Sequence, residues 1–359
     1  MKRDRWLLSV AAALIIILLV LFAIGRKNAK DTELAENQWV ESGMSENQLS
    51  GDDTASQDTE IPDEPQEGPD MAEDETEYIK VPLEEFKRNV DTSTNLWEFT
   101  QRFFTDVIVY KTEAGKFVYE PIDRSLPQSD YNWDNLKEVG LDSREVEYVE
   151  NGETVSIKGI DVSKYQDDID WEKVAASGVK FAFIRLGYRG YSSGALVVDE
   201  KFEYNITEAL RNGIEVGVYF VTQAVSVDEA VEEAEFVLDT IKPYRVSWPV
   251  VLDIEDAGNG DARTQLLTRS ERTDYACAFC DRIKQSGKVP MVYTNIRWFI
   301  EKLDISRLTE YDKWFAQYFN RPFFPYAFQI WQYTSSGKID GIKGNVDLNI
   351  SFVDYSKGE

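Results

Sequence analysis

Four acidic residues lie where predicted strands end, and their spacing suits acid–base chemistry. Asp253 and Glu255 are separated by a single residue at the end of an apolar run, so both side chains can point to the same face of a strand. Asp161 follows an earlier apolar run, and Asp347 lies on the last one. A single Asp at such a position is as often a helix cap or a loop ion pair. Four together favour a site, and crowding favours keeping one carboxyl protonated.

The composition excludes several other kinds of active site. The 359 residues include no histidine, which rules out Ser-His-Asp and Cys-His catalysis and histidine-ligated zinc. The net charge of −26 argues against a nucleic-acid partner. Cys277 and Cys280 form a C-x-x-C inside a predicted helix, where semi-buried thiols or a local disulfide both fit. No cofactor or metal is predicted, and hydrolytic chemistry would depend on carboxylates.

The region that carries these acids alternates predicted strands with predicted helices. Helical patterns follow each of the first five strands, and strict alternation of this kind predicts a parallel sheet. Eight strands can close into a barrel whose chemistry lies at the carboxyl ends of the strands. The predicted strands span residues 158–163, 180–187, 215–224, 249–256, 289–295, 313–318, 327–333 and 345–350.

The same region resembles a known family. The segments GIDVSKYQDDIDW, FAFIRLGYRG, VGVYF, PVVLDIE, MVYTN, WFAQY, WQYTSSG and VDLN occur in this order between about residues 159 and 349. Together they are similar to glycoside hydrolase family 25, the Chalaropsis-type lysozymes or muramidases. The resemblance implies a (β/α)5β3 barrel, a TIM-like α/β fold that cleaves the β-1,4 bond between N-acetylmuramic acid and N-acetylglucosamine in peptidoglycan. It does not extend to residues 1–156.

The resemblance also implies roles for the four acids. The family's catalytic D-x-E is matched by Asp253 and Glu255, and its other two acids by Asp161 and Asp347. We expect Glu255 to be the general acid. Asp253 would polarise the substrate's N-acetyl group or activate a water, as in substrate-assisted hydrolysis. Asp161 and Asp347 would tune this pair and bind sugar hydroxyls.

Aromatic and amide side chains near the same strand ends are candidates for binding the sugar. Rings offer apolar faces to the C–H faces of sugars, and amides offer donors and acceptors. We expect about half of the aromatics to pack the barrel instead, and Trp314 to be core because it alternates with Ala316. The candidates are Tyr188, Tyr219, Tyr293, Gln317, Tyr318, Trp331 and Gln332.

Two functions of other classes remain open at this point. A non-catalytic glycan-binding barrel would keep the aromatic rim, and a membrane-tethered scaffold for cell-wall proteins would tolerate an inactive barrel. Neither needs an intact D-x-E. Chitinase-like hydrolysis is the nearest enzymatic rival, but the DVSKYQ and VDLN segments speak against it.

The first thirty residues predict a membrane anchor. Residues 6–24 are apolar except for Ser9 and follow three basic residues, a length that spans a hydrocarbon core of ~30 Å. We expect a single-pass protein of the cell membrane whose catalytic domain is extracellular. The alternative is secretion after cleavage, because residues 23–25 resemble a signal-peptidase site.

The remaining sequence divides by composition. Residues 31–77 contain 17 carboxylates and no Lys or Arg, which predicts a disordered acidic linker that acts as a spacer. Residues 78–156 predict a small accessory α+β domain with a helix near 96–104 and two strands within 107–122. Its role is not readable from sequence. Residues 157–359 form the predicted barrel.

Overall fold

The computed structural model describes residues 81–93, 95–139, 144–256 and 262–357. The predicted anchor within residues 1–30 and the acidic linker at 31–77 lie outside the described residues. Within the described ranges, no helix is long and apolar enough to cross a membrane. These ranges fall into two compact units, residues 81–122 and residues 123–357.

The smaller unit, residues 81–122, contains two helices and a hairpin. Helix α1 spans Leu83–Thr92 and α2 spans Leu96–Gln101, while the antiparallel strands are β1, Val107–Lys111, and β2, Phe117–Pro121. Gly115 takes a positive φ of 75° in the connecting turn, a conformation that glycine adopts without strain. The helix and hairpin predicted here are therefore confirmed.

Eight strands of the larger unit close into a barrel. These strands are β6, Ile157–Val162; β7, Phe181–Arg189; β9, Glu215–Val221; β10, Val250–Asp253; β11, Pro290–Asn295; β12, Asp312–Ala316; β13, Ile330–Gly337; and β14, Val346–Ser351. Each is hydrogen-bonded to the next in the order β6-β14-β13-β12-β11-β10-β9-β7, and β7 pairs with β6 to close the ring. A short strand, β8, Leu196–Val198, extends the sheet beside the end of β7.

The last strand corrects the prediction of a parallel sheet. β14 runs antiparallel to both of its neighbours, β13 and β6. A parallel return needs a crossover of a dozen or more residues, and only residues 338–345 connect β13 to β14. Asp347 therefore lies at the start of its strand rather than at the end. Because the strand is reversed, that start reaches the same rim as the carboxyl ends of the other strands.

The first strands are covered by helices, as the alternation predicted. Helix α3 spans Trp171–Ala176, α4 Phe202–Arg211, α5 Val227–Ile241 and α6 Arg269–Gln285. The helix predicted after β11 is a single π-helical turn, Trp298–Lys302. Short 3₁₀ turns span Trp133–Asn135, Lys164–Gln166, Ile305–Leu308 and Tyr355–Lys357. Cys277 and Cys280 lie within α6 as free thiols.

Aromatic rings fill the barrel's interior below the rim. Phe181 stacks on Trp248 at 4.0 Å between ring centroids, and Phe183 stacks on Trp314 at 4.6 Å. Gly159 on β6 makes room for this layer, because a Cβ there would lie 2.1 Å from the Phe181 ring. The first residue of the GIDVS segment is thus explained by packing, and Trp314 is core as predicted.

A segment that precedes the barrel in sequence packs on its outer wall. Residues 123–156, which we call the strap, belong to the same compact unit as the barrel. The strap contains a three-stranded antiparallel sheet of β3, Leu136–Val139, β4, Glu145–Glu150, and β5, Glu153–Thr154. The accessory domain predicted by composition ends at residue 156, whereas the compact-unit boundary falls at residue 122.

Aromatic contacts explain why the strap belongs to the same compact unit as the barrel. Tyr131 stacks on Phe352 at 4.0 Å, and Trp133 packs against Phe328 and Trp331 at 6.2 and 6.0 Å. In the described chain no helix follows β12 or β13, so the outer faces of the last strands lack the helical cover that α3–α6 give the others. The strap supplies that cover.

Candidate active site

The four predicted acids converge at one rim of the barrel. Asp161 on β6 is paired in register with Asp347 on β14, and their side chains are hydrogen-bonded to each other. Asp253 ends β10, and Glu255 follows two residues later. Asp161, Asp253 and Asp347 are at most 4% exposed, whereas Glu255 is partly exposed. Glu255 is therefore the carboxyl of this group that is most open to a substrate.

Asp161 is held by a network of amides. Its Oδ2 accepts hydrogen bonds from Gln332 Nε2 at 2.9 Å and from Asn349 Nδ2 at 2.8 Å. Trp314 Nε1 donates to Asn349 Oδ1 at 2.8 Å, which fixes the orientation of that amide. The hydroxyl of Tyr293 donates to Gln332 Oε1 at 2.8 Å. The carboxylate is thereby positioned, directly or through these amides, by side chains from four other strands.

The backbone of the D-x-E segment is fixed on both sides. Thr222 N donates to Asp253 O at 3.0 Å, and Ile254 N donates to Tyr293 O at 3.0 Å. The hydroxyl of Thr294 donates to Ile254 O. Because neighbouring strands hold the backbone of Asp253 and Ile254, the position of Glu255, the next residue, is also fixed.

Burial and crowding raise the pKa of every acid in the cluster. Burial raises the pKa of Asp161 to about 6, against the hydrogen bonds from Asn349 and Gln332. Burial, then the charge of Asp161, raises the pKa of Glu255 to about 7, and hydrogen bonding with Tyr293 opposes this rise. Protonated carboxyls therefore coexist with ionised ones near neutral pH.

Burial also raises the pKa of the two deepest acids, Asp253 and Asp347. Burial, then the charges of Glu255 and Asp161, raises the pKa of Asp253 well above its usual value. Burial and the charge of Asp161 do the same to the pKa of Asp347. Within the described ranges, Oδ1 of Asp253 and Oδ1 of Asp347 are buried without a hydrogen-bond partner. Such atoms are costly unless a bound molecule satisfies them.

Four of the predicted sugar-binding residues lie with the acids. The hydroxyls of Tyr293 and Tyr318 both donate to Gln332 Oε1, at 2.8 and 2.9 Å. The hydroxyl of Tyr219 is buried, and the charges of Asp161 and Asp253 help to raise its pKa well above the usual value. Tyr318 keeps partial exposure, which leaves its ring available at the rim.

Gln317 and Trp331 are placed differently from the prediction. Trp331 is fully buried on the outer side of β13, next to Trp133, and its Nε1 donates to Gln317 O at 2.8 Å. The side-chain oxygen of Gln317 accepts from Phe323 N at 2.6 Å. Side chains alternate along a strand. Ala316, next to Gln317, and Gln332, next to Trp331, face the interior, so Gln317 and Trp331 face outward. Tyr188, predicted with them, lies in the core cluster with 8% exposure.

Sequence reasoning missed three polar residues of the barrel mouth. Asn349 stands two residues after Asp347, so alternation would have placed it on the same face. Arg185 interrupts an apolar strand and forms a fully buried ion pair with Asp199, Nε to Oδ2 at 2.6 Å. A charge inside such a strand is itself a signal, because buried charges need partners.

In the part of the chain described here, no cluster of three potential ligand side chains could hold a metal ion.

A family model matches this region. Residues 160–342, about half of the chain, match the model of Glycosyl hydrolases family 25. The chain belongs to this family. This family 25 protein is accordingly a glycoside hydrolase, and the resemblance inferred from its motifs is confirmed.

Curated relatives of this family 25 protein come from several bacteria. It is 31% identical over 206 residues to the uncharacterized protein YegX of Escherichia coli, covering 54% of this chain and 69% of the relative. It is 27% identical over 207 residues to Lysozyme M1 of Streptomyces globisporus, covering 55% of this chain and 68% of the relative. Both matches cover about half of the chain.

A solved structure agrees with the fold of the family 25 protein. The modular autolysin LytC from Streptococcus pneumoniae, in complex with a synthetic peptidoglycan ligand, superposes with a TM-score of 0.51 at 23% identity. The match covers 69% of this chain and 57% of that one, so the chain spans less than two thirds of LytC's length. This likeness supports the α/β barrel.

Proposed function

We propose that this protein is a muramidase, which hydrolyses the β-1,4 bond between N-acetylmuramic acid and N-acetylglucosamine in peptidoglycan. Family membership and the similarity to Lysozyme M1 support this activity. The observation that carries the proposal is the acid cluster, in which a partly exposed Glu255 stands among three buried aspartates.

Glu255 acts as the general acid in this proposal. A pKa of about 7 keeps a large fraction of the carboxyl protonated near neutral pH, so it can protonate the leaving oxygen as the glycosidic bond breaks. The rigid backbone of the D-x-E segment keeps this proton in one place. Partial exposure brings the carboxyl to the substrate.

Asp253 acts on the sugar rather than on the leaving oxygen. In its ionised form it polarises the substrate's N-acetyl group, or activates a water, while positive charge develops at the sugar carbon. Its buried, unpartnered Oδ1 is free to accept a hydrogen bond from the substrate. The charges of Asp161 and Asp347 influence which of Asp253 and Glu255 holds a proton.

Digestion of purified peptidoglycan tests the activity. Wild-type protein should release soluble muropeptides and new reducing ends at a rate proportional to enzyme concentration. Binding to peptidoglycan without release would favour a non-catalytic glycan-binding barrel. Capture of cell-wall proteins that survives loss of the acids would favour a scaffold.

The Tyr293 hydroxyl should set the alkaline limit of activity. The Tyr293 hydroxyl shares its single proton between Gln332 Oε1 and Glu255, and this sharing lowers the pKa of Glu255, so Tyr293→Phe should raise that pKa. Glu255 must be protonated to act, and activity is lost as the pH rises through its pKa. The alkaline limb of kcat/KM against pH should therefore move to higher pH. Tyr204→Phe, at an exposed tyrosine on α4, should leave the limb in place. An unchanged limb in Tyr293→Phe would remove this tyrosine from the control of Glu255.

We also propose that residues 6–24 anchor the protein in the cell membrane, with the barrel outside. Support comes from the length and apolarity of the segment alone. The full chain should stay with membranes through high-salt and carbonate washes, and removal of residues 1–30 should release it. Removal of residues 31–60 instead should leave it bound. A mature N-terminus near Arg26 in native material would show secretion.

The other proposed parts follow from composition. Residues 31–77 would be a spacer that lets the barrel reach glycan strands at a distance from the membrane. Residues 157–359 would be the catalytic barrel, residues 123–156 the strap that covers its last strands, and residues 78–122 an accessory region of unknown role. The partner is peptidoglycan, and no cofactor or nucleic acid is proposed.

A further inference from the structure

Arg185 places a positive charge on the inner wall of the barrel. It lies on β7 two residues after Phe183, which faces the interior, and it is level with Tyr219 on the adjacent strand. Its side chain is fully buried. A buried cation is costly unless its position and partners are fixed, so the groups that hold it are informative.

Asp199 fixes one edge of this guanidinium. Arg185 Nε donates to Asp199 Oδ2 at 2.6 Å, and neither side chain is exposed. The carboxylate is itself held by the backbone, since Lys201 N donates to Oδ1 at 2.9 Å and Lys164 N to Oδ2 at 3.2 Å. The ring of Tyr165 lies 4.9 Å from the guanidinium carbon. Asp199 therefore determines which way the guanidinium points.

The other edge of the guanidinium is buried and has no hydrogen-bond partner among the described residues. Among the described residues, Nη1 and Nη2 of Arg185 are buried without a hydrogen bond, and so are Asp253 Oδ1 and the Tyr219 hydroxyl. The charge of Arg185 lowers the pKa of Asp253 and of Tyr219, against burial and against the neighbouring acids. A fixed cation thus acts on Asp253 without a direct bond to it.

Among the described residues, the other ionisable groups on the inner wall around Asp253 are acids and phenols. Glu255 and Asp161 act on it directly through their charges. Tyr219 on β9 and Tyr293 on β11 respond to the charge of Asp253, and Asp347 on β14 is coupled to Asp161 and Glu255. Within the described barrel, the positive charge acting on Asp253 is that of Arg185.

We propose that Arg185 is a positioning residue for the reaction: held by Asp199, the unpartnered edge of its guanidinium supplies the positive charge on the inner wall that favours the ionised form of Asp253 against burial and the neighbouring acids. The effect of Arg185 on catalysis rests on the proposed function. It assigns opposite effects to the two members of the ion pair. Loss of the cation makes Asp253 harder to ionise, and loss of the Asp199 charge leaves the cation uncompensated and makes Asp253 easier to ionise.

The test combines a direct titration with a pH profile. The full chain, carrying ¹³C-labelled aspartate in a mild detergent, is titrated by NMR, and the Asp253 carboxyl signal is assigned through Asp253→Asn. Arg185→Gln should move the Asp253 midpoint to higher pH, and Asp199→Asn should move it to lower pH. Arg185→Lys, which keeps the charge, should stay near wild type. The acid limb of kcat/KM should follow the same order, with about a tenfold loss at its acidic end in Arg185→Gln.

The outcomes separate this inference from the proposed function. An unmoved Asp253 midpoint in Arg185→Gln, or shifts in the same direction in Arg185→Gln and Asp199→Asn, would overturn it. If Arg185→Gln fails to fold, the downward shift in Asp199→Asn and the wild-type midpoint in Arg185→Lys decide the question. Absence of hydrolysis by wild-type protein would refute the proposed function, while the titration would still test the role of Arg185.

Discussion

Replacing Glu255 with Gln should lower the turnover of peptidoglycan by about 10²–10⁴-fold, the usual contribution of a positioned proton donor. The amide keeps the shape of the side chain but cannot supply a proton to the leaving oxygen. Glu255 is partly exposed and follows a strand whose backbone is fixed by its neighbours, so the fold should tolerate the change. Initial rates of muropeptide release from purified peptidoglycan measure the effect.

Glu310→Gln provides the matched control. Glu310 is exposed and pairs with Lys284 on the surface, so its neutralisation removes one negative charge without touching the barrel mouth. Its turnover should equal that of wild type, and both variants should melt within a few degrees of wild type. If Glu255→Gln kept more than half of the wild-type turnover, Glu255 could not be the acid.

A fragment that begins at residue 157 should fail to fold stably, whereas one that begins at residue 123 should fold. The shorter fragment loses the strap and exposes the faces of Phe328, Trp331 and Phe352 that the strap covers. Removing one large buried aromatic costs ~3–5 kcal/mol, and whole domains are stable by only ~5–15 kcal/mol. Tyr148 is buried and Tyr131 and Trp133 are partly buried, so deleting the three together removes a large part of the available stability.

Thermal unfolding of the two purified fragments measures this difference. The 123–359 fragment should unfold cooperatively, and the 157–359 fragment should be insoluble or melt far lower. Trp133→Ala in the longer fragment offers an intermediate, with a loss of about 3 kcal/mol. If the 157–359 fragment melted within a few degrees of the longer one, the strap would be dispensable and the fold would end where the family resemblance begins.

The strand order of the barrel was predictable because its signal is local. Apolar runs such as the one ending at Asp253 alternate with amphipathic helices, and each run became a strand with boundaries shifted by a few residues. The direction of β14 was not predictable from these runs. It depends on the short connection after Gly337, since a parallel return would need a longer crossover. The strap was missed because its aromatics cover strands distant in sequence.

The candidate site was predictable to the extent that its residues share a strand face. Asp253 and Glu255 follow from spacing alone, whereas the hydrogen bonds that hold Asp161 join β6 to residues nearly two hundred positions away. Trp331 was predicted to bind sugar because it is an aromatic residue near a strand end, as Gln332 was for its amide, yet neighbours on a strand face opposite sides. Applying alternation to every strand would have separated the two. The burial that raises the pKa of each acid depends on the closed barrel.

The reducing-end sugar left on purified peptidoglycan shows whether the protein is a muramidase that uses Glu255. Wild-type protein digests the polymer, the products are reduced with labelled borohydride, and the modified sugar is identified after acid hydrolysis. N-acetylmuramic acid should carry the new reducing end, and Glu255→Gln should remove this signal. New reducing ends on N-acetylglucosamine, or an undiminished signal from Glu255→Gln, would contradict this proposal.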